Sequence, residues 1–262
     1  MGLVMKVVVV GGTGLVGGKV VANLQAMGHE AVVAAPSTGV DAVTGAGLDA
    51  VLQGAQVVLD VLNSPSWADQ DVLDFFRTTT SQLLAAEAKA GVSHHVALSI
   101  VGAELLPDSG YLRAKVAQEQ IIEDSGIPYT IVRSTQFFEF LRGIADSMTD
   151  GGVVRAMTAQ FQPIAADDVA AFVADAVVAE PANGRVEIAG PESRGLNDLL
   201  STVLSTDGDD RTVLVDPKAR YFGTELADGS LIPNGPARLG RIDLAQWLAA
   251  HPARAVTASH NG

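Results

Sequence analysis

An α/β fold built on a doubly wound parallel sheet, with a small lobe toward the C-terminus, is what this sequence predicts, and three observations predict it. A β-branched run at residues 7–10 flows into closely spaced glycines and then into a helical pattern opening at Leu15. Further apolar runs recur at 31–35, 57–61, 96–100 and 129–133. Between them, helical patterns occupy 15–27, 70–90 and 111–125, so strand and helix alternate as in βαβ units. The run at 7–10 is apolar at every position, the mark of a strand covered by helices on both faces.

The 262 residues suffice for one large core, so positions 1–250 are expected to form a single unit. Its sheet core is expected over about 1–155 and 165–180, with the remaining segments forming the small lobe and 251–262 a flexible tail. Beyond Phe140 the pattern is less regular. A helix is predicted from Asp167-Asp168 to 178, where the paired carboxylates suit the positive end of a helix better than a catalytic role. A short strand at 186–189 and a helix at 196–204 are assigned, with 211–247, to the lobe.

Charge and composition exclude several kinds of function. Seventeen basic residues against 30 acidic ones leave a net charge of −13, which repels a phosphate backbone and disfavours nucleic acid as a partner. The chain has no cysteine, hence no disulfide, thiolate metal site or cysteine nucleophile. His94 and His95 are neighbours on a predicted strand, so they point to opposite faces; no metal site is expected. No basic segment followed by an apolar one opens the chain, and the valine run is too short to cross a bilayer. A cytoplasmic protein acting on a small molecule, without membrane partners, is the expectation; oligomeric state is not legible.

The glycines can be spaced as Gly12-x-Gly14-x-x-Gly17 or as Gly11-x-x-Gly14-x-x-Gly17. Either way, strand, glycine turn and helix N-terminus make a Rossmann-type dinucleotide site from Gly11, Gly12, Thr13, Gly14, Leu15, Val16 and Gly17. In such a sheet ligands meet the carboxyl ends of the strands. Those ends are Pro36, Ser37 and Thr38; Leu62, Asn63 and Ser64; Ser99; and Ser134, Thr135 and Gln136. All but Ser99 are assigned to the cofactor. Asn63 and Ser64 would touch the nicotinamide ribose or merely cap their loop. An NAD site usually places a carboxylate after the second strand to bind the ribose 2′-hydroxyl. Pro36-Ser37-Thr38 offers none, which leans toward NADP with NAD possible; the segment is as easily a plain turn.

Tyr111 and Lys115 stand four apart, one helical turn on one face. A free phenol has a pKa of about 10, so a neighbouring ammonium would help it exchange protons near neutrality. Ser99 would hydrogen-bond the acceptor oxygen, Tyr111 would transfer the proton, and Lys115 would lower the phenol pKa and bridge the cofactor ribose. The alternative is an ordinary helix-start pair and a strand-end serine. The aromatic residues Phe137, Phe138 and Phe140, with Phe161, Trp67 and Tyr221 from other loops, suit a planar apolar acceptor or else core packing; Phe137, Phe138 and Trp67 are the substrate candidates.

Over roughly its first two thirds the chain resembles the NmrA-like atypical short-chain dehydrogenases/reductases. Beside the glycine loop, the matching stretches are 98–102 (Leu-Ser-Ile-Val-Gly), 111–119 from Tyr111 to Glu119, and 125–137 from Ser125 to Phe137. Pro163-Ile164-x-x-Asp167-Asp168-Val169-Ala170 resembles a recurrent feature of extended reductases. The resemblance implies NADPH-dependent hydride transfer, with the segment 133–137 passing beneath the nicotinamide into the substrate pocket. The arginine that the pattern commonly places at Pro36 is missing. Active members of the group lack the tyrosine, so Tyr111 is either proton donor or spectator. The group also holds dinucleotide-sensing regulators without turnover, the alternative to an oxidoreductase acting on a carbonyl, quinone or similar conjugated acceptor.

Overall fold

The computed structural model describes residues 4–253. In chain order its elements are β1 (Lys6–Val10), α1 (Leu15–Ala26), β2 (Glu30–Ala34), α2 (Leu48–Val51), β3 (Val57–Asp60), α3 (Asp69–Ala90), β4 (His94–Ile100), α4 (Gly110–Glu123) and β5 (Tyr129–Ser134). Then come α5 (Leu141–Ser147), β6 (Thr149–Asp150), β7 (Val153–Ala156), β8 (Gln160–Phe161), α6 (Ala166–Val178), β9 (Gly184–Ala189), β10 (Arg194–Gly195), α7 (Leu196–Asp207), β11 (Thr212–Val215), β12 (Arg238–Leu239) and α8 (Leu244–Ala250).

Seven parallel strands form the main sheet in the order β12-β9-β5-β4-β3-β1-β2. The valines of β1 are all buried because the strand is sandwiched. Val7 and Val9 pack with Val20 and Leu24 of α1 and Val169 and Val173 of α6. Val8 and Val10 face the other way, onto Leu48, Leu52 and Leu83. Each such side chain withdrawn from water contributes roughly 1.5–3 kcal/mol, which is why β1 is an inner strand, paired on both sides by β2 and β3. From β1 the chain winds outward to β2 on one side and to β3, β4 and β5 on the other. That reversal opens a crevice at the carboxyl ends of β1 and β3.

The lobe is built differently from the sequence expectation. β9 lies in the main sheet, pairing with β5 from Thr130↔Gly184 to Ser134↔Ile188, and β12 extends that edge. The short strand expected at 186–189 is therefore a strand of the main sheet and not of the lobe: Arg185 reaches Glu119 and Glu123 of α4 at 3.0 and 2.8 Å, so charge pairs stand where an inner strand has apolar contacts. Conversely α5, β6 and β7, counted with the sheet core, belong to the lobe. Leu141, Ile144 and Val154 pack with Leu199, Leu200 and Val203 of α7 and with Trp247 of α8 in a separate core. The expected tail begins at His251, and its residues 254–262 lie outside the described ones. Asp167 and Asp168 open α6: Asp167 pairs with Lys19 at 2.7 Å, and Asp168 accepts from the amides of Arg241 and Ile242. Among the described residues no helix is long and apolar enough to cross a membrane, and no cluster of His, Asp or Glu is placed to hold a metal.

Candidate active site

The glycine loop fills the β1 side of the crevice. Gly11 has φ +84°, and a Cβ there would lie 2.9 Å from the Val61 carbonyl oxygen, so both its backbone and its space demand glycine. Gly17 meets Gly11 closely enough that a Cβ would lie 2.3 Å from the Gly11 oxygen; its bareness lets α1 start directly under the loop. Among helices of eight or more described residues, α1 alone begins with neither a side-chain cap nor an acidic residue in its first turn. Its free amides and partial positive charge fit the pyrophosphate of a dinucleotide.

At the end of β2, the Thr38 hydroxyl donates to the Ala35 carbonyl at 2.9 Å and accepts the Ala35 amide at 3.0 Å. It fastens a one-turn 3₁₀ helix over Pro36–Thr38 and has no proton left for a ribose phosphate, which corrects the expectation for this residue. Ser37 and Thr13 remain exposed. Asp41 is tied to the amides of Val43 and Thr44, and those bonds lower its pKa.

The β3 side carries the polar chemistry. Asn63 Oδ1 accepts the Ser64 amide and, at 3.0 Å, the hydroxyl of Tyr111 from the first turn of α4. Ser64 is buried and caps the amide of Ser66, so it holds the loop. Burial pushes the Tyr111 phenol up to about 12. Lys115 does not offset this. Its ammonium is buried, donates to the Leu98 carbonyl at 2.9 Å and to Gln118, and lies 4.5 Å above the Phe76 ring. Gln118 in turn donates to Asp60 at 2.9 Å. Burial lowers the Lys115 pKa to about 8, with Asp60 and Glu119 opposing. Lys115 therefore ties α4 to β3 and β4, and the expected lowering of the phenol pKa is corrected. Ser99, on the same face of β4 as Ala97, which packs on α3 and α4, is 3% exposed, and its hydroxyl has no hydrogen-bond partner among the described residues.

Beyond β5, Ser134 donates to the Thr135 carbonyl and Thr135 to the Gln162 carbonyl, so both hydroxyls are spent on backbone. Gln136 accepts the Tyr221 hydroxyl at 3.0 Å. Phe137 stacks on the half-exposed Phe140, whereas Phe138 is buried against Trp247 and serves the lobe core, correcting its assignment to the substrate. Trp67 is exposed and lies 5.4 Å from the Tyr111 ring. Two participants escaped the sequence reading: Phe222, whose ring lies parallel to Trp67, and the Asp60–Gln118 link beneath Lys115. Phe222 belongs to no spaced motif, and Gln118 lies in the matching stretch 111–119 without being singled out there. The nearest signal was the Tyr-Phe-Gly triplet at 221–223.

The family model described as NAD(P)H-binding matches residues 11–180, which span the glycine loop, the Asn63–Tyr111 pair and all of α6. The chain belongs to the NAD(P)H-binding family. As a member, it has a Rossmann-like sheet and an NAD(P) site, in keeping with its resemblance to the NmrA-like atypical short-chain dehydrogenases/reductases. It is 32% identical over 203 residues to the (4-alkanoyl-5-oxo-2,5-dihydrofuran-3-yl)methyl phosphate reductase of Streptomyces griseus, covering 71% of this chain and 68% of that one. It is 31% identical over 152 residues to the chloroplastic divinyl chlorophyllide a 8-vinyl-reductase of Cucumis sativus, covering 55% of this chain and 36% of the relative. In fold it is similar to an NADPH-dependent quinone oxidoreductase of Escherichia coli complexed with NADPH, with TM-score 0.61, 22% identity and coverage of 80% and 77%. It is also similar to the Citrobacter triphenylmethane reductase complexed with NADP(H), with TM-score 0.56, 17% identity and coverage of 82% and 79%.

Proposed function

We propose that this NAD(P)H-binding protein is an NADP-preferring reductase that passes a hydride to a carbonyl, quinone or similar conjugated acceptor, with Tyr111 as the proton donor. The observation that carries this reading is the Tyr111 hydroxyl held by Asn63 at 3.0 Å beside the crevice where β1 and β3 end. NADPH supplies the hydride when bound. Gly11 to Gly17 would hold its pyrophosphate, and Leu62, Asn63 and Gln136 lie on the loops that flank its nicotinamide end. A phenol held up to about 12 stays protonated at neutral pH. It is suited to giving a proton to an acceptor oxygen as negative charge develops there, and ill suited to abstracting one, which favours the reductive direction. Asn63 keeps the hydroxyl pointed; Lys115 positions Tyr111 through the helix they share. The preference for NADP rests on the carboxylate-free end of β2 and on the exposed hydroxyls of Ser37 and Thr13. Relatives named as reductases of a furanone phosphate and of a vinyl group support acceptors conjugated to a carbonyl or ring.

The test is absorbance-monitored oxidation of NADPH and, alongside, NADH against quinones and conjugated aldehydes. Acceptor-dependent oxidation, faster with NADPH, is expected. Silence in samples where NADPH binding is confirmed would overturn the reductase reading and leave a dinucleotide-sensing regulator.

A further inference from the structure

Phe222 is an oddity of this chain. It has φ +46° and the following Gly223 φ +83°, and Tyr221 and Thr224 exchange both backbone hydrogen bonds across them. This is a two-residue turn whose central positions both need left-handed backbone, a place for Asn or Gly and the least suited to a large aromatic side chain. The ring it displays is 60% exposed, and Trp67, 70% exposed, faces it from the loop after β3. The two planes are parallel to within 2° with centroids 6.4 Å apart, and Trp67 continues to Tyr111 at 5.4 Å. Neither ring is part of a core, yet both are held. The turn is anchored by Tyr221, which packs edge-on to Phe161 and donates to Gln136, and the Trp67 loop is fixed by Ser66, which bonds Asp71 and the Ala68 amide.

We infer that Trp67 and Phe222 are the two jaws of a clamp that selects a planar, uncharged conjugated ring for the site over Tyr111. This rests on the reductase reading above and names its substrate class. One jaw comes from the dinucleotide-binding sheet and the other from the lobe, so the clamp joins the two halves beside the Tyr111 ring. The 6.4 Å is a centroid separation between parallel rings that are both exposed, so a conjugated plane can lie against their free faces. Charge is disfavoured because the neighbouring cations are occupied. Arg113 pairs with Asp69 and Arg220 with Glu225, each at 2.7 Å, and the chain carries −13 overall.

The experiment uses the NADP⁺-loaded protein and 1,4-naphthoquinone as probe. Of the two tryptophans, Trp67 is exposed and Trp247 buried, so quenching of exposed tryptophan emission reports the clamp without turnover. Phe222→Asn removes the ring with a residue that tolerates positive φ, so folding is retained. The expected result is quenching of the wild-type protein, a Kd raised about tenfold in Phe222→Asn, and recovery in Phe222→Tyr, in keeping with stacking energies. NADP⁺ affinity stays within about twofold, and a sulfonated naphthoquinone binds more weakly than the neutral one. No quenching in the wild type, or a naphthoquinone Kd untouched by Phe222→Asn, overturns the clamp. If naphthoquinone binds with this dependence but no acceptor oxidises NADPH, the reductase reading fails and the clamp stands. If turnover is present and the Kd ignores Phe222, the clamp alone fails.

Discussion

Adding one methyl group at Gly17 should disable the dinucleotide loop, and adding one at Gly18 should not. At Gly17 the new carbon would lie 2.3 Å from the Gly11 oxygen and 2.7 Å from the Gly12 Cα. Carbon and oxygen rarely approach within about 3.3 Å, so α1 and the loop must part by about 1 Å. Both are backbone, with no flexible side chain to yield. Overpacking of this kind costs about 1–3 kcal/mol, against which alanine returns up to about 1 kcal/mol of helix propensity. The larger effect falls on the cofactor. Hydrogen bonds from the loop and α1 amides to phosphate contribute about 1.5–3 kcal/mol each, so losing one weakens NADPH tenfold or more. At Gly18 the nearest atom to the new carbon is the Gly12 oxygen at 3.7 Å, an ordinary contact in a helix interior. Gly18→Ala should gain about 0.5–1 kcal/mol and raise Tm by about 2 °C. Thermal melts and NADPH fluorescence titrations of both variants decide the matter. A Gly17→Ala protein that melts and binds NADPH like the wild type would refute the view that helix–loop contact fixes the phosphate site.

Three further outcomes are expected. Tyr111→Phe deletes only the hydroxyl held by Asn63; kcat for a carbonyl acceptor should fall about a hundredfold with little change in Tm, and undiminished turnover would leave the tyrosine a spectator. Arg133→Met removes the guanidinium that grips both oxygens of the buried Glu119 at 2.9 and 2.6 Å, which should cost about 3–5 kcal/mol in urea unfolding, reduced by the remaining Arg185 contact. Arg133→Met combined with Glu119→Leu should recover most of that loss; no recovery would mean packing, not the stranded carboxylate, sets the cost. Burial, with neighbouring His95, lowers the His94 pKa from 6.5 to about 4, and the neutral ring bonds Thr130 at 2.9 Å. Because the unfolded chain takes up this proton first, stability present above pH 6.5 is lost as pH falls toward 4. Urea unfolding of His94→Gln should show a flatter pH dependence across that window, and parallel curves would contradict the assignment.

Local sequence carried most of the sheet and the phosphate site. A run of valines, glycines at fixed offsets and a helix start are short-range features: backbone freedom, steric space and helix charge act between residues a few positions apart. Hence α1, α3, α4 and α6 begin and end within a few residues of where periodicity placed them. The same logic failed where partners are distant. The segment 186–189 read as a short strand of the lobe, and only α4, whose Glu119 and Glu123 pair with Arg185, explains why a charged residue belongs on a strand of the main sheet. The spacing of Tyr111 and Lys115 put both on one helix but could not say where an ammonium turns. Leu98, Gln118 and Phe76 draw it inward, while the phenol swings to Asn63, 48 positions earlier. Ser99 was a strand-end hydroxyl by pattern and a buried one by pleat. The sequence by itself thus determined a dinucleotide-binding sheet and the residue types at its strand ends. The tertiary structure alone decided which of those side chains face the crevice, and that Phe222 joins them, because side-chain direction depends on desolvation and on partners supplied by remote segments.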